Sequence, residues 1–160
     1  MARKFTGSFT QQEGLSQEAI AAAVAVLQSG RLHRYNLAPG EAGEAAQLEA
    51  EYRDWQGSGY CLAVTSGGQA LQIALRACDV ASGDKVLTNA YTLAPVPGAI
   101  RAVGAETVLV EIDEDLRLDL DDLDAKIASS GARVLLLSHM RGHLCDMDRL
   151  MAICNGAEVT

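Results

Sequence analysis

Aromatic residues make up only 4% of this 160-residue chain, and prolines number 3. A core must therefore be built from Ala, Val, Leu and Ile rather than from stacked rings. Basic charge is also scarce: 13 Lys and Arg stand against 21 Asp and Glu, a net charge of -8. That balance argues against a nucleic-acid or anionic-membrane partner, each of which needs basic patches. No apolar run approaches a membrane span, and "MARKFTGSFT" is followed by no apolar segment of the kind a secretory leader carries. The four cysteines, Cys61, Cys78, Cys145 and Cys154, form no C-x-x-C pair and no zinc-like spacing with His. Scattered thiols in apolar runs read as small buried hydrophobes of a reducing compartment, the cytoplasm. There is no G-x-G-x-x-G, no Walker A loop and no G-x-S-x-G elbow.

What is present is ordered. At 49% hydrophobic and 21% charged, the composition is that of a folded globular chain. Residues 1–14 are polar and aperiodic, an arm. Residues 16–28 show helical apolar spacing behind Ser16 as N-cap, and Gly30 ends them. After Pro39-Gly40 a second helix is expected from about Glu41 to Trp55, with Ala45, Leu48, Tyr52 and Trp55 on one side. From residue 60 the pattern alternates. "YCLAVT", "KVLTN", "ETVLVEI" and "RVLLLSH" read as strands, helices follow each, and "AEVT" reads as the start of another strand. Apolar strands alternating with helices predict an α/β three-layer sandwich with a mostly parallel sheet. The acidic stretch "EIDEDLRLDLDDLD" reads as solvated surface, with Asp119 capping a helix.

In such a sheet, ligands bind outside the carboxyl ends of the strands. That edge carries "TSGGQ" (65–69), "NAYTL" (89–93), "EIDED" (111–115) and "SHMRGH" (138–143). The first loop is the best anion site. Gly67 and Gly68 let backbone N–H groups approach an anion, and the helix that follows adds its dipole, while Thr65 and Ser66 bring hydroxyls. The same two glycines could equally be a tight turn. Tyr91, beside Asn89 and Thr92, could stack on a planar ligand or pack under its own loop. His139 and His143 are spaced by four, but Gly142 interrupts any shared helix face, so they read as loop structure rather than a metal site.

The order of these motifs resembles the sugar aminotransferase family named for DegT, DnrJ, EryC1 and StrS. "SGRLHRYNLAPGEAGEAAQLEAEYRDWQGSGYCLAVTSGGQAL" resembles its entry segment, helix and Ser-Gly-Thr-x-Ala-Leu loop. "GDKVLTNAYTLAPVPGAIRAVGAETVLVEID" is similar to its Gly-Asp-Glu-Val strand and Tyr-Thr-Phe loop. "SHMRGHLCDMDRLMAIC" is similar to its His-x-Tyr-Gly segment followed by Asp-Met-Asp. The resemblance implies the large domain of a fold type I pyridoxal-phosphate transferase, incomplete at the carboxyl end. Residues 1–30 would form an arm and helix, and 31–160 the first part of that domain. It implies pyridoxal 5'-phosphate as cofactor, held by Ser66, Gly67, Gly68 and Gln69, with Tyr91 or Leu93 against its ring. It implies an amino-acid donor, a keto-sugar acceptor that can be nucleotide-linked, and a homo-oligomer or a complementary carboxyl-terminal chain.

Three departures from the family pattern stand out. Gly68 replaces a Thr, Leu93 the stacking aromatic, and Arg141 a Tyr. The lysine that bonds the cofactor and the Asp that pairs with its ring nitrogen are expected beyond Thr160. The only lysines are Lys4, Lys85 and Lys126, none in a family-like context, so the 160 residues alone are expected to be inactive. The rival reading is a non-catalytic module of the same fold that binds an anion or a partner chain. A plain nucleotide-binding domain is disfavoured by the missing fingerprints.

Overall fold

The computed structural model describes residues 6–8, 10, 12–35 and 37–160. The chain packs as two units, Met1–Ala63 and Val64–Thr160. Among the described residues, no helix is long and apolar enough to cross a membrane.

The first unit holds two helices. Helix α1 (Gln17–Ser29) starts where the Ser16 hydroxyl accepts from Ala19 N and ends at Gly30, whose φ of 69° closes the last turn. Helix α2 (Glu44–Gln56) begins three residues later than the apolar spacing suggests. Glu41 is spent on the preceding turn: its N–H donates to Ala38 O at 2.9 Å, and its carboxylate accepts from Ala38 N at 3.2 Å. Neither helix buries a residue. The expected apolar side of α2 stands open, with Leu48, Tyr52 and Trp55 each at least half exposed.

Residues 60–65 were expected as a strand, and here the structure corrects the sequence. They form no ladder. A strand needs a neighbour, and the backbone groups of Ala63 go to side chains instead. Its N–H donates to Glu49 Oε1 at 2.7 Å, and its carbonyl accepts from Arg34 Nη1 at 3.0 Å.

The second unit is the layered sheet that alternation predicted. Its elements are α3 (Gly67–Ala77), β1 (Lys85–Asn89), α4 (Pro95–Ala102), β2 (Glu106–Val110), α5 (Leu120–Ser130), β3 (Val134–Leu135) and α6 (Met147–Gly156). The strands are parallel in the order β2-β1-β3. Thr160 lies beyond β3, donating its N–H to Arg133 O at 3.0 Å and accepting from Leu135 N at 2.8 Å. Of "AEVT", expected to open a strand, only Thr160 bonds along β3, while Ala157 and Glu158 turn out of α6.

Each strand side chain chooses a face, and each face has its own helices. Leu87 and Val110 pack with Leu120, Leu123 and Ile127 of α5 and with Leu150 and Cys154 of α6. Val86 packs on the other face with Leu75 of α3 and with Ala99 and Ile100 of α4. Each fully buried Leu or Ile contributes about 1.5–3 kcal/mol, so the two layers together outweigh any surface contact.

The acidic stretch is used as the sequence suggested. Asp119 accepts from Asp121 N and Asp122 N to start α5, and Asp113 Oδ1 accepts from Asp115 N and Arg117 N within the preceding turn. Burial pushes the thiols of Cys145 and Cys154 up from their ordinary value, whereas Cys78 is exposed and does not fit the buried-thiol expectation.

Candidate functional site

Strand order decides where the sheet can hold a ligand. From β1 the chain leaves for β2 on one side, and from β3 it leaves for Thr160 on the other. The carboxyl ends of β1 and β3 are therefore neighbours whose loops diverge, which is the switch-point crevice of an open α/β sheet. Those loops are 89–93 and 138–143, two of the four segments singled out from the sequence.

At this switch point the ladder stops early. Strand β3 was expected across 133–139, yet its ladder register with β1 ends at Leu87 and Leu135. One further backbone bond follows, from Leu136 N to Leu87 O at 2.8 Å. After that, side chains take over. Thr88 Oγ1 donates to Leu136 O at 2.8 Å. Asn89 Oδ1 accepts from Ser138 N at 3.0 Å, while its Nδ2 donates to Ser138 O at 3.0 Å and to Tyr91 O at 2.6 Å. Both residues are wholly buried. The sequence showed Asn89 only as a loop polar group. Its role as a tie was missed, and the available signal was a buried-looking Thr-Asn pair at the end of an apolar strand.

Around this floor the predicted residues fall as follows. Tyr91 is half-buried, and Leu93 is 59% exposed, its carbonyl accepting from Val96 N at 2.9 Å to open α4. Between them, Thr92 Oγ1 is buried with no hydrogen-bond partner among the described residues. On the other loop, Met140–Gly142 forms a 3-10 turn in which Arg141 takes φ 55° and ψ 24°. A non-glycine residue in that region is uncommon and costs about 1 kcal/mol or more. Arg141 has no carboxylate within salt-bridge distance among the described residues. His139 is exposed, and His143 Nδ1 lies 3.1 Å from Asp115 O.

The glycine loop lies at the same edge. The carboxyl end of α3 leads through Val80 and Gly83, which donates to Gly104 O at 2.9 Å just before β2, back to the start of β1. That end is at the amino edge of the sheet. The 11-residue helix is about 16 Å long, so its first turn points towards the carboxyl edge. Ser66 caps it, its Oγ accepting from Gln69 N at 3.1 Å, and Thr65 Oγ1 donates to Gln69 Oε1. The N–H groups of Gly67 and Gly68 belong to the first turn, where no helical carbonyl can reach them.

These glycines are not demanded by the fold. Gly104 is: its φ is +86°, and a Cβ there would meet Ser82 Oγ at 2.9 Å. Gly67 and Gly68 have no positive φ. A Cβ at Gly67 would meet nothing within 4 Å, and one at Gly68 only Ser66 Oγ at 4.0 Å. Glycine costs up to about 1 kcal/mol in a helix relative to alanine. What the pair provides instead is open space over two free donors.

The pattern of the DegT/DnrJ/EryC1/StrS aminotransferase family matches residues 14–160. The chain belongs to this family. Over 144 residues it is 37% identical to dTDP-3-amino-3,4,6-trideoxy-alpha-D-glucose transaminase of Streptomyces venezuelae, covering 89% of this chain and 36% of that protein. Its fold matches the aminotransferase from Psychrobacter cryohalolentis with TM-score 0.82 at 26% identity, over 95% of this chain and 37% of that one. It matches the sugar aminotransferase Spr1654 from Streptococcus pneumoniae, solved in a PLP form, with TM-score 0.73 at 26% identity over 88% and 34%. The chain thus spans about a third of the length of these DegT-family relatives.

Proposed function

We propose that this chain contributes one part of the cofactor site of a pyridoxal-phosphate-dependent sugar aminotransferase, which moves an amino group from an amino-acid donor to a keto-sugar. The observation that carries the reading is the switch point at the carboxyl ends of β1 and β3, set at the same edge as a helix whose first two residues are sterically idle glycines. The residues fit the cofactor. Free N–H groups at a helix N-terminus suit a phosphate dianion. Leu93 and Tyr91 offer an apolar edge for a ring, and the unpartnered Thr92 hydroxyl offers a polar contact.

When bound, pyridoxal phosphate supplies the electron sink that lets an amino group leave one carbon skeleton and join another. This chain's residues do the holding. Gly67 and Gly68 would donate to the phosphate, Ser66 fixes the turn that carries them, and the 89–93 loop would offer Tyr91 and Leu93 to the ring. Among the described residues neither lysine is placed as a covalent anchor: Lys85 sits at the amino end of β1, with Nζ 3.4 Å from Ser130 O, and Lys126 lies in α5. The anchor and the rest of the site come from sequence outside these residues, on the same polypeptide, a second copy or a complementary chain. Four free thiols suit a cytoplasmic enzyme.

The test uses pyridoxamine 5'-phosphate, which cannot bond covalently to lysine, against unphosphorylated pyridoxamine, by calorimetry on the native-length protein. The phosphate should tighten binding at least tenfold. Gly67→Pro should then weaken only the phosphorylated ligand, by about tenfold, the scale of one hydrogen bond to a charged group. Proline is tolerated at the first helical position, and Ser66, at φ -160° and ψ 157°, already has the extended backbone that a following proline requires. Equal affinity for the two ligands would overturn the reading.

A further inference from the structure

We infer that Asn89 is a positioning residue for the cofactor crevice, setting its width by holding the 89–93 loop and the 138–143 loop at a fixed separation. The inference rests on the reading above. Asn89 is 2% exposed, and its carboxamide is bonded through both amide protons and through its oxygen. One Nδ2 proton goes to Tyr91 O and the other to Ser138 O, while Oδ1 takes the Ser138 N–H. An asparagine has two amide protons to give, so none remains for a ligand. The orientation of the amide follows from its partners, since two carbonyls need donors and one N–H needs an acceptor. Asn89 therefore has no proton to give a bound molecule, and its oxygen is buried against Ser138. It acts through what it holds.

What it holds is specific. The ladder between β1 and β3 has already ended, so the strands would be free to separate at the edge where the ligand enters. The carboxamide bonds both the N–H and the C=O of Ser138, so a side chain takes up the two backbone groups that a ladder would otherwise pair. The third bond fixes the backbone of Tyr91. One buried group thus ties the loop bearing Tyr91 and Leu93 to the loop bearing His139 and Arg141. A backbone ladder at this point would close the crevice, and no tie at all would let it gape.

Asn89→Ala removes all three bonds. Asn89→Asp keeps the shape and the acceptor for Ser138 N, but faces two carbonyls with an oxygen in place of a donor. In the native-length protein, the Ser138 amide should exchange with solvent at least tenfold faster in Asn89→Ala, with the amides of β1 and β2 unchanged. Pyridoxamine 5'-phosphate and pyridoxamine should weaken by the same factor, about tenfold, because the ring position is disturbed and the phosphate cradle on α3 is not. Asn89→Asp should weaken both ligands likewise while leaving far-ultraviolet circular dichroism unchanged, which keeps the test open if the alanine variant does not fold.

Faster Ser138 exchange with unaltered ligand affinity would overturn the positioning role and leave the cofactor reading standing. Loss of affinity for the phosphorylated ligand alone would also overturn it, since that pattern belongs to the glycine loop. Failure of the unsubstituted protein to bind pyridoxamine 5'-phosphate would overturn the cofactor reading itself.

Discussion

The two units use the same kind of sequence to different ends. In Met1–Ala63, α1 and α2 carry apolar residues at helical spacing, and not one residue of either helix is buried. In Val64–Thr160, helices of similar length bury Leu75, Ile100, Leu123, Ile127 and Leu150 against both faces of a sheet. Amphipathic spacing reports that a helix has a side to hide, and it is silent about where the partner lies. The first unit shows helices that end at left-handed glycines, Gly30 and Gly57, and whose packing is left open, the second a core closed in two layers.

The sharpest way to break that comparison is to truncate one large side chain in each unit. Leu123 is wholly buried between α5 and the sheet. Leu123→Ala should cost about 2–5 kcal/mol, the transfer loss plus a cavity. Trp55 is 77% exposed, and Trp55→Ala should change global stability by under about 0.5 kcal/mol, as surface substitutions do. Urea unfolding followed by circular dichroism measures both. A cost above 2 kcal/mol for Trp55→Ala would mean that the open face of α2 is covered in the native-length protein, and the contrast would vanish.

A smaller effect separates the caps. Asp119 accepts two backbone bonds at the start of α5, whose buried face belongs to the core. Asp119→Ala should lower global stability by about 1 kcal/mol. Ser16 caps α1 in the same way, but α1 contributes no buried residue, so Ser16→Ala should fray that helix without shifting the global transition. Amide exchange in α1 alongside the urea midpoint distinguishes the two outcomes.

These elements also show how far the sequence could be read. Strand β1 was legible to the residue, because apolar "KVLTN" sits between a turn and a proline-started helix. The parallel sheet followed from alternation alone. Residues 60–65 misled because β-like composition does not create a neighbour. Strand β3 misled for a related reason: "RVLLLSH" stays apolar past the point where Thr88 and Asn89 replace the ladder. In the site, the glycine loop was legible as a pattern. The idleness of its glycines became visible only when the space above them could be measured. Asn89 was legible as a polar residue and not as a tie, since Ser138, the residue it is tied to, lies 49 residues away.

Glu49 offers the finest probe of the first unit, because it holds a segment that no ladder holds. Its carboxylate takes the Ala63 N–H and both oxygens face Arg34, which in turn donates to Ala63 O. The bond from Ala63 and the Arg34 guanidinium hold its carboxyl below the ordinary value of 4.5. A carboxyl held low in the folded state stabilises that state above its ordinary value, and the contribution fades as pH falls through the lowered one. The Ala63 amide should therefore stay protected from exchange at neutral pH and lose protection only below about pH 4.5. Glu49→Gln keeps an acceptor oxygen but no charge. It should show weaker protection at neutral pH and no change through the acid range. An Ala63 amide that titrates equally in both proteins would show that residues 60–63 are held by something other than this pair.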